Sequence, residues 1–267
     1  MSLEKITSPW KGPAQCEHCG IRDLVLFADL DPEEFALIQR PIDEQRLGRG
    51  EVLYRADDTP NYLFTVRYGL VKLVQYLPDG TQRIVRLPKQ GDVVGLEAVL
   101  GIPYQHDAVV LETALVCRIP VGVVRRLDQQ IPKLSQQLLE RWQRALTETD
   151  SWLTELATGS TQVRVARLLI HLVGDDSDGV CYLPPREDIA AIVGTATETA
   201  SRVVAELRRS GVIVETAPHR ARVELDILRK IAARQPLNRH VDLHDLSPFS
   251  AYPEPTLISE RGRLAPS

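Results

Sequence analysis

Glu198, Ser201 and Arg202 stand at i, i+3 and i+4, a spacing that puts all three on one face of a helix. Their chemistry suits a base-pair edge. Arginine donates a fixed pair of N–H groups to O6 and N7 of guanine, glutamate accepts from the cytosine amine, and serine bonds to several edges. Thr197 and Thr199 interleave with them at the start of the same segment. A Glu-to-Arg i,i+4 step also makes an ordinary surface ion pair, so the reading depends on what surrounds it. The other chemistry-bearing set is the four thiols, Cys16, Cys19, Cys117 and Cys181. In a cytosolic protein stable disulfides are not expected, which leaves metal, cluster or redox chemistry, with inert packing as the plain alternative.

The elements that must position these residues follow from pattern. Residues 1–30 read as a Pro- and Gly-bearing arm around Cys16-x2-Cys19, followed by a short helix from Asp31 with Pro32 in its first turn. Between about 42 and 120, runs such as EVLYR, NYLFTV, LVKLVQYL, QRIVRL and AVVLETALVCRI alternate with turn signals at Gly48–Gly50, Asp57–Pro60, Pro78–Gly80 and Gly91–Asp92. Short strands at that spacing predict an all-β barrel or sandwich. After Pro120 the period changes. Leu139, Trp142, Leu146 and Leu153, separated by three, four and seven residues, mark one apolar stripe along a helix over 134–156. Such a stripe is written like a coiled-coil seam, or equally like a helix docked on its own domain.

Thr161–Val173 predicts another amphipathic helix, with Val163, Ala166, Leu169, Ile170 and Val173 inward, before a solvated GDDSDG loop. Asp188–Val193 and Thr197–Ser210 predict two helices joined at Gly194, the second packing through Ala200, Val203, Val204 and Leu207. Two helices meeting at a glycine, the second opening with small polar residues, fit a DNA-binding helix-turn-helix. The stretch from Gly211 to Leu225 predicts a two-stranded wing, and a proline-bearing tail without apolar periodicity follows from about 233.

Composition sets bounds. Hydrophobic residues at 43% and charged residues at 25% are ordinary for a globular chain of 267 residues. No apolar run approaches the roughly 20 residues of a spanning helix, and the N-terminus has no apolar h-region, so a cytoplasmic protein away from the membrane is expected. The net charge of −4 conceals a local excess of Arg202, Arg208, Arg209, Arg220 and Arg222 over Glu206 and Glu215. No Ser/His/Asp nucleophile context, phosphate-binding glycine loop or HExxH is present, so an enzyme, metal-dependent or redox, is not the expected class.

At these motifs the chain resembles a known family. LPPREDIAAIVGTATETASRVVAELRRSGVIVE looks like the helix-turn-helix of CRP/FNR regulators, and Glu198-x-x-Ser201-Arg202 is similar to the recognition signature of the FNR branch. GDVVGLEAVL, LETALVCRIP and IPKLSQQLLERWQ look like successive parts of its sensory roll and dimerisation helix, and the resemblance spans about residues 14–232. It implies an α+β fold. A cysteine-bearing arm at 1–30 leads to a double-stranded β-roll like a cyclic-nucleotide-binding domain at 31–120. A dimerisation helix at 121–158, a winged helix-turn-helix at 159–232 and a tail at 233–267 follow. It further implies a homodimer on double-stranded DNA with palindromic TTGAT-like half-sites. Arg202 would meet the half-site guanine, Glu198 the base opposite and Ser201 a thymine. The Pro78–Gly80 loop is similar to a surface that touches RNA polymerase, although a plain hairpin turn explains it equally well.

The resemblance also bears on the signal. Cyclic-AMP-binding members carry a glutamate after the second glycine of the roll and an Arg-Ser pair for the phosphate. Here Leu96 follows Gly95, and Tyr104–Ala108 offers no Arg-Ser, which argues against cyclic AMP. Cluster-binding members hold [4Fe–4S] through Cys-x2-Cys-x5-Cys and a fourth cysteine in the roll. Cys16, Cys19 and Cys117 match three of these, and Val25 occupies the remaining position. Three readings stay open: a cluster with an unusual fourth ligand such as Asp23, Asp29 or His18, a zinc or thiol-redox site, or no cofactor. Haem ligation by His18 or His106 has no supporting spacing. Cys181 lies beside the helix-turn-helix, away from the arm.

Overall fold

The computed structural model describes residues 10–11, 42–173 and 178–234. The thiols of the arm, the helix expected from Asp31, most of the GDDSDG loop and the tail beyond 234 lie outside them.

The first half is a roll of seven strands: β1 (Trp10–Lys11), β2 (Ile42–Leu47), β3 (Val52–Tyr54), β4 (Tyr62–Tyr76), β5 (Gln82–Arg86), β6 (Val93–Val94) and β7 (Asp107–Pro120). They pair in the order β1-β2-β7-β4-β5, with β3 on β7 and β6 on β4. NYLFTV and LVKLVQYL, expected as two strands, form the single strand β4. Gly69 permits this. It sits at φ 87, the register against β7 shifts around it, and a Cβ there would run into the Thr113 carbonyl and Ala114 backbone. Beyond Gly69, Val71 and Leu73 face the inner core of the roll, while Leu70 and Val74 face the second half of the molecule. Both faces of β4 are therefore buried from Leu70 to Val74, where LVKLV is apolar apart from Lys72 rather than alternating. Strand β2 was not expected, because IDEQRL is mostly polar and its side chains are mostly half-buried.

After a short helix α1 (Glu97–Leu100), the segment 121–158 departs from one continuous helix. It divides into α2 (Val121–Gln130) and α3 (Pro132–Glu155), with Ile131 extended at φ −126 between them. Pro132 has no N–H to continue α2 but suits the first turn of α3. Helix α2 buries Val123, Val124 and Leu127 in the roll core, joined by Leu134 and Leu138 from α3.

The second half comprises α4 (Thr161–Leu172), β8 (Val180–Tyr182), α5 (Arg186–Val193), α6 (Thr197–Arg209), β9 (Ile213–Ala217), β10 (Arg220–Val223) and α7 (Leu225–Ala232). Ser160 caps α4, its hydroxyl accepting from the Val163 N–H at 3.4 Å. Val163, Ala166 and Leu169 are buried as expected, and so are Val165 and Leu168, because α5, α6 and α7 pack around this helix. Ile170 and Val173 are only partly buried. The wing is three-stranded, ordered β8-β10-β9, rather than two-stranded. β8 and α7 were not anticipated; α7 closes the fold by burying Leu228 and Ile231. Leu70, Val74, Ile84, Leu87 and Leu111 of the roll share one core with Leu169, Tyr182, Ile189 and Val193 of the second half.

Candidate nucleic-acid interface and sensor cavity

The helix-turn-helix is built locally. Helix α5 ends at Gly194, whose φ of 68 is left-handed and whose N–H donates to Ala190 O at 2.9 Å. The chain then turns through Thr195 and Ala196 into α6, which buries Ala200, Val204 and Leu207, with Val203 partly covered. Glu198 and Arg202 on the opposite face are exposed, and Thr197, Thr199 and Ser201 are half-exposed. No ion pair joins Glu198 to Arg202 among the described residues. Both side chains are available to a partner. Glu198 in the first turn and Arg208 and Arg209 in the last also complement the helix dipole. Arg208 pairs with Glu215 of the wing.

Several polar links hold this half on the roll. Lys72 Nζ donates to Asp188 Oδ1 at 2.5 Å, both side chains nearly enclosed. Tyr182 Oη donates to Leu111 O at 2.8 Å, and Arg220 pairs with Glu112. Burial pushes the Glu112 carboxyl up, partly offset by the Arg220 charge. The buried Arg167 ties the end of α3 to α4, donating Nη1 to Glu155 O at 2.9 Å and to Thr158 O at 3.2 Å, while Nη2 reaches Ala232 O at 3.3 Å. Arg220 was expected only as part of a basic cluster and Asp188 only as a helix start; none of these pairings was read from the sequence. The partners are remote in the chain, and no local pattern marks them.

The roll borders a half-open cavity of about 360 Å³, lined by strands and by Trp142, Leu146 and Thr149 of α3. Arg86, the sole arginine on its wall among the described residues, is bound to Glu148 at 3.2 Å. An anion entering there has to compete with Glu148, whose carboxyl is pushed up by burial against the pull of Arg86. Glu97 faces His106 at 3.8 Å. Burial raises the Glu97 carboxyl, but the neighbouring His106 ring and backbone N–H groups outweigh it and leave it below its ordinary value. His106 thus has a carboxylate neighbour in the cavity wall.

The stripe on α3 points outward. Leu139 is 69% exposed, Leu146 53%, Leu153 62% and Trp142 37%. Cys117 and Cys181 are buried, and burial pushes the Cys181 thiol up to about 11. Cys16 and Cys19 lie outside the described residues, among which no three His, Cys, Asp or Glu side chains gather as a metal site. Pro78-Asp79-Gly80 makes the β4–β5 hairpin turn, in which the Thr81 N–H donates to Asp79 Oδ1 at 2.8 Å and lowers that carboxyl. No described helix is long and apolar enough to cross a membrane.

Residues 44–130 match the cyclic nucleotide-binding domain, and residues 163–231 match the Crp-like helix-turn-helix domain. Similar proteins include the transcriptional activator protein Anr of Pseudomonas aeruginosa, 28% identical over 75% of this chain and 85% of that protein. The fumarate and nitrate reduction regulatory protein of Vibrio cholerae is 26% identical over 74% of this chain and 82% of its own length. A CRP-family transcriptional regulator of Thermus thermophilus superposes with a TM-score of 0.61 and 28% identity, over 70% of this chain and 96% of that one.

Proposed function

Because the chain belongs to the CRP/FNR family of transcription regulators, we propose that it acts in the cytoplasm as a homodimer on double-stranded DNA. It reads palindromic TTGAT-like half-sites and answers an oxygen or redox signal. The observation that carries the DNA reading is the sidedness of α6. Ala200, Val204 and Leu207 fix one face in the core, while Glu198 and Arg202 project unpaired from the other, with Ser201 between them. Arg202 pairs with the half-site guanine, Glu198 with the base opposite, Ser201 with a thymine, and Thr197 and Thr199 lie where the helix enters the groove. Leu139, Trp142, Leu146 and Leu153 form the dimer seam, because four large apolar side chains in a row on one exposed helix face need a partner. The two half-sites then lie about one helical turn, ~34 Å, apart. The hairpin at Pro78–Gly80 offers a surface for RNA polymerase.

Binding to a palindrome of two such half-sites, compared with a scrambled duplex and with half-sites moved by about half a helical turn, tests this reading. Specific binding to the correctly spaced palindrome is expected. Equal affinity for all three contradicts it.

For the signal, Cys16, Cys19 and Cys117 are assigned to one iron–sulfur site. Lys11 stands opposite Asp43 on β2, which stands opposite Arg118, the neighbour of Cys117. Two strand spacings are about 10 Å, and the five residues from Lys11 to Cys16 span up to about 17 Å, so the chain length allows the thiols to meet. The thiols fill three of four positions, and the last protein ligand has to be a residue other than Val25. An iron–sulfur group held there supplies one-electron chemistry tuned by its exposure and charge. Cyclic AMP is not the ligand proposed, since Arg86 is already engaged by Glu148. Iron, sulfide and zinc analysis of anaerobically purified protein tests the assignment. Matched iron and sulfide support it, zinc alone moves the three thiols to a zinc site, and absence of both metals overturns a shared cofactor.

A further inference from the structure

Two guanidinium groups converge on the turn of the helix-turn-helix. Arg164 of α4 donates Nη1 to Val193 O and, at 3.3 Å, to Gly194 O, and Nη2 to Thr161 Oγ1 at 3.2 Å. Arg83 arrives from the other side, on β5 of the roll, and its guanidinium lies where a Cβ on Gly194 would fall. Burial and then the Arg83 charge both lower the Arg164 pKa, which marks the two cations as electrostatic neighbours.

Arg164 spends its two terminal nitrogens on carbonyls and the Thr161 hydroxyl, but Arg83 has no counter-ion among the described residues. Three carboxylates that link the roll to its neighbours, Asp188, Glu148 and Glu112, pair with Lys72, Arg86 and Arg220 instead. Holding a half-exposed arginine against a like charge without a carboxylate is unfavourable in the isolated chain. It becomes favourable when an anion arrives from outside.

Position identifies the anion. Gly194 and Ala196 are exposed, and α6 begins at Thr197, so Arg83 sits just behind the first turn of the helix that carries Glu198, Ser201 and Arg202. A helix that enters the major groove by its first turns brings the preceding turn to the groove wall, where the phosphates run. We propose that Arg83, a residue of the sensor roll, binds a phosphodiester of the DNA backbone beside the helix-turn-helix turn, with Arg164 positioning that turn. This rests on the DNA-binding reading of α6. The DNA-contacting surface then extends into the sensor half, and any movement of β5 relative to α5 and α6 withdraws a phosphate contact.

The test compares the full-length wild type with Arg83→Gln and Arg83→Lys by fluorescence anisotropy, on a palindromic TTGAT duplex and an unrelated duplex, across roughly 50 to 200 mM salt. Arg83→Gln is expected to weaken both duplexes by the same factor, about fivefold to tenfold, and to reduce the slope of log affinity against log salt by about 1 for each protomer engaged. Arg83→Lys is expected to restore the slope. A wild type that binds DNA while Arg83→Gln keeps the same slope overturns the assignment to Arg83 alone. A wild type that binds no duplex overturns the reading of α6 as well. In a second arm, inorganic phosphate is titrated into the DNA-free protein. Tight binding lost in Arg83→Gln, with the DNA slope unchanged, assigns the site to a free anion and overturns the backbone contact. Equal melting temperatures for the three proteins exclude a purely structural effect.

Discussion

Lys72 on β4 and Asp188 on α5, 116 residues apart in the chain, meet at 2.5 Å with both side chains nearly enclosed. The pair pins the first helix of the helix-turn-helix to the β-roll, so the orientation of α6 depends on a strand of the other half. Replacing Lys72 by Met leaves the Asp188 carboxylate buried and unpaired, a change that costs about 3–5 kcal/mol. Urea unfolding should show that loss, and Lys72→Met with Asp188→Leu should recover most of it. A single variant as stable as wild type would mean the pair is solvated in solution.

His171 gives the fold a pH dependence. Its Nε2 is buried without a hydrogen-bond partner, and Trp152 packs edge-on at 5.9 Å. Burial lowers its pKa, the charge of Lys89 lowers it further, and Asp92 opposes them. The unfolded chain therefore takes up this proton more readily than the native one. The stability contributed by neutral His171 is complete above its ordinary value of 6.5 and is lost progressively as pH falls from there through its lower native value. The slope is at most about 1.4 kcal/mol per pH unit. His171→Phe keeps the aromatic packing and should flatten stability between about pH 7.5 and 5.5; an unchanged profile would exclude His171 as the source.

Thiol accessibility separates the cysteines. Cys181 is held as the thiol by burial, with its pKa raised to about 11, and Cys117 is buried too. In a variant lacking Cys16 and Cys19, a disulfide reagent at about pH 8 should label neither remaining cysteine until denaturant is added. Rapid native labelling at either position would contradict the packing described.

The helix-turn-helix was legible because its evidence is local. Ala200, Val204 and Leu207 fall at helical spacing, Gly194 supplies the left-handed stop, and the exposed Glu198 and Arg202 occupy the remaining face. The roll was legible as β structure, but the join of two apolar runs through Gly69 was not, since the close approach of Thr113 appears only once β7 lies alongside. Helix α3 was legible from its apolar stripe to within two residues, but α2 as a separate helix ending before Pro132 was not, because its apolar residues belong to the roll core. The cross-chain pairs Lys72–Asp188 and Arg220–Glu112, and the approach of Arg83 to Gly194, leave no periodic trace. They depend on which face of β4 and β5 the second half covers.

The seam on α3 should be separable from folding. Leu139 and Leu153 are mostly exposed, so Glu at both positions removes little buried area in the protomer. Sedimentation of Leu139→Glu/Leu153→Glu should show a folded monomer with operator affinity much reduced. A variant that remains dimeric would move the interface elsewhere.

The most direct test of the account is Arg202→Ala, measured on the TTGAT palindrome and on duplexes with each base pair of the half-site changed. A loss of about 1–3 kcal/mol on the palindrome is expected, with discrimination relaxed at the guanine position and retained elsewhere. Equal loss on every sequence would place Arg202 on the backbone and contradict the reading of α6 as the helix that reads bases.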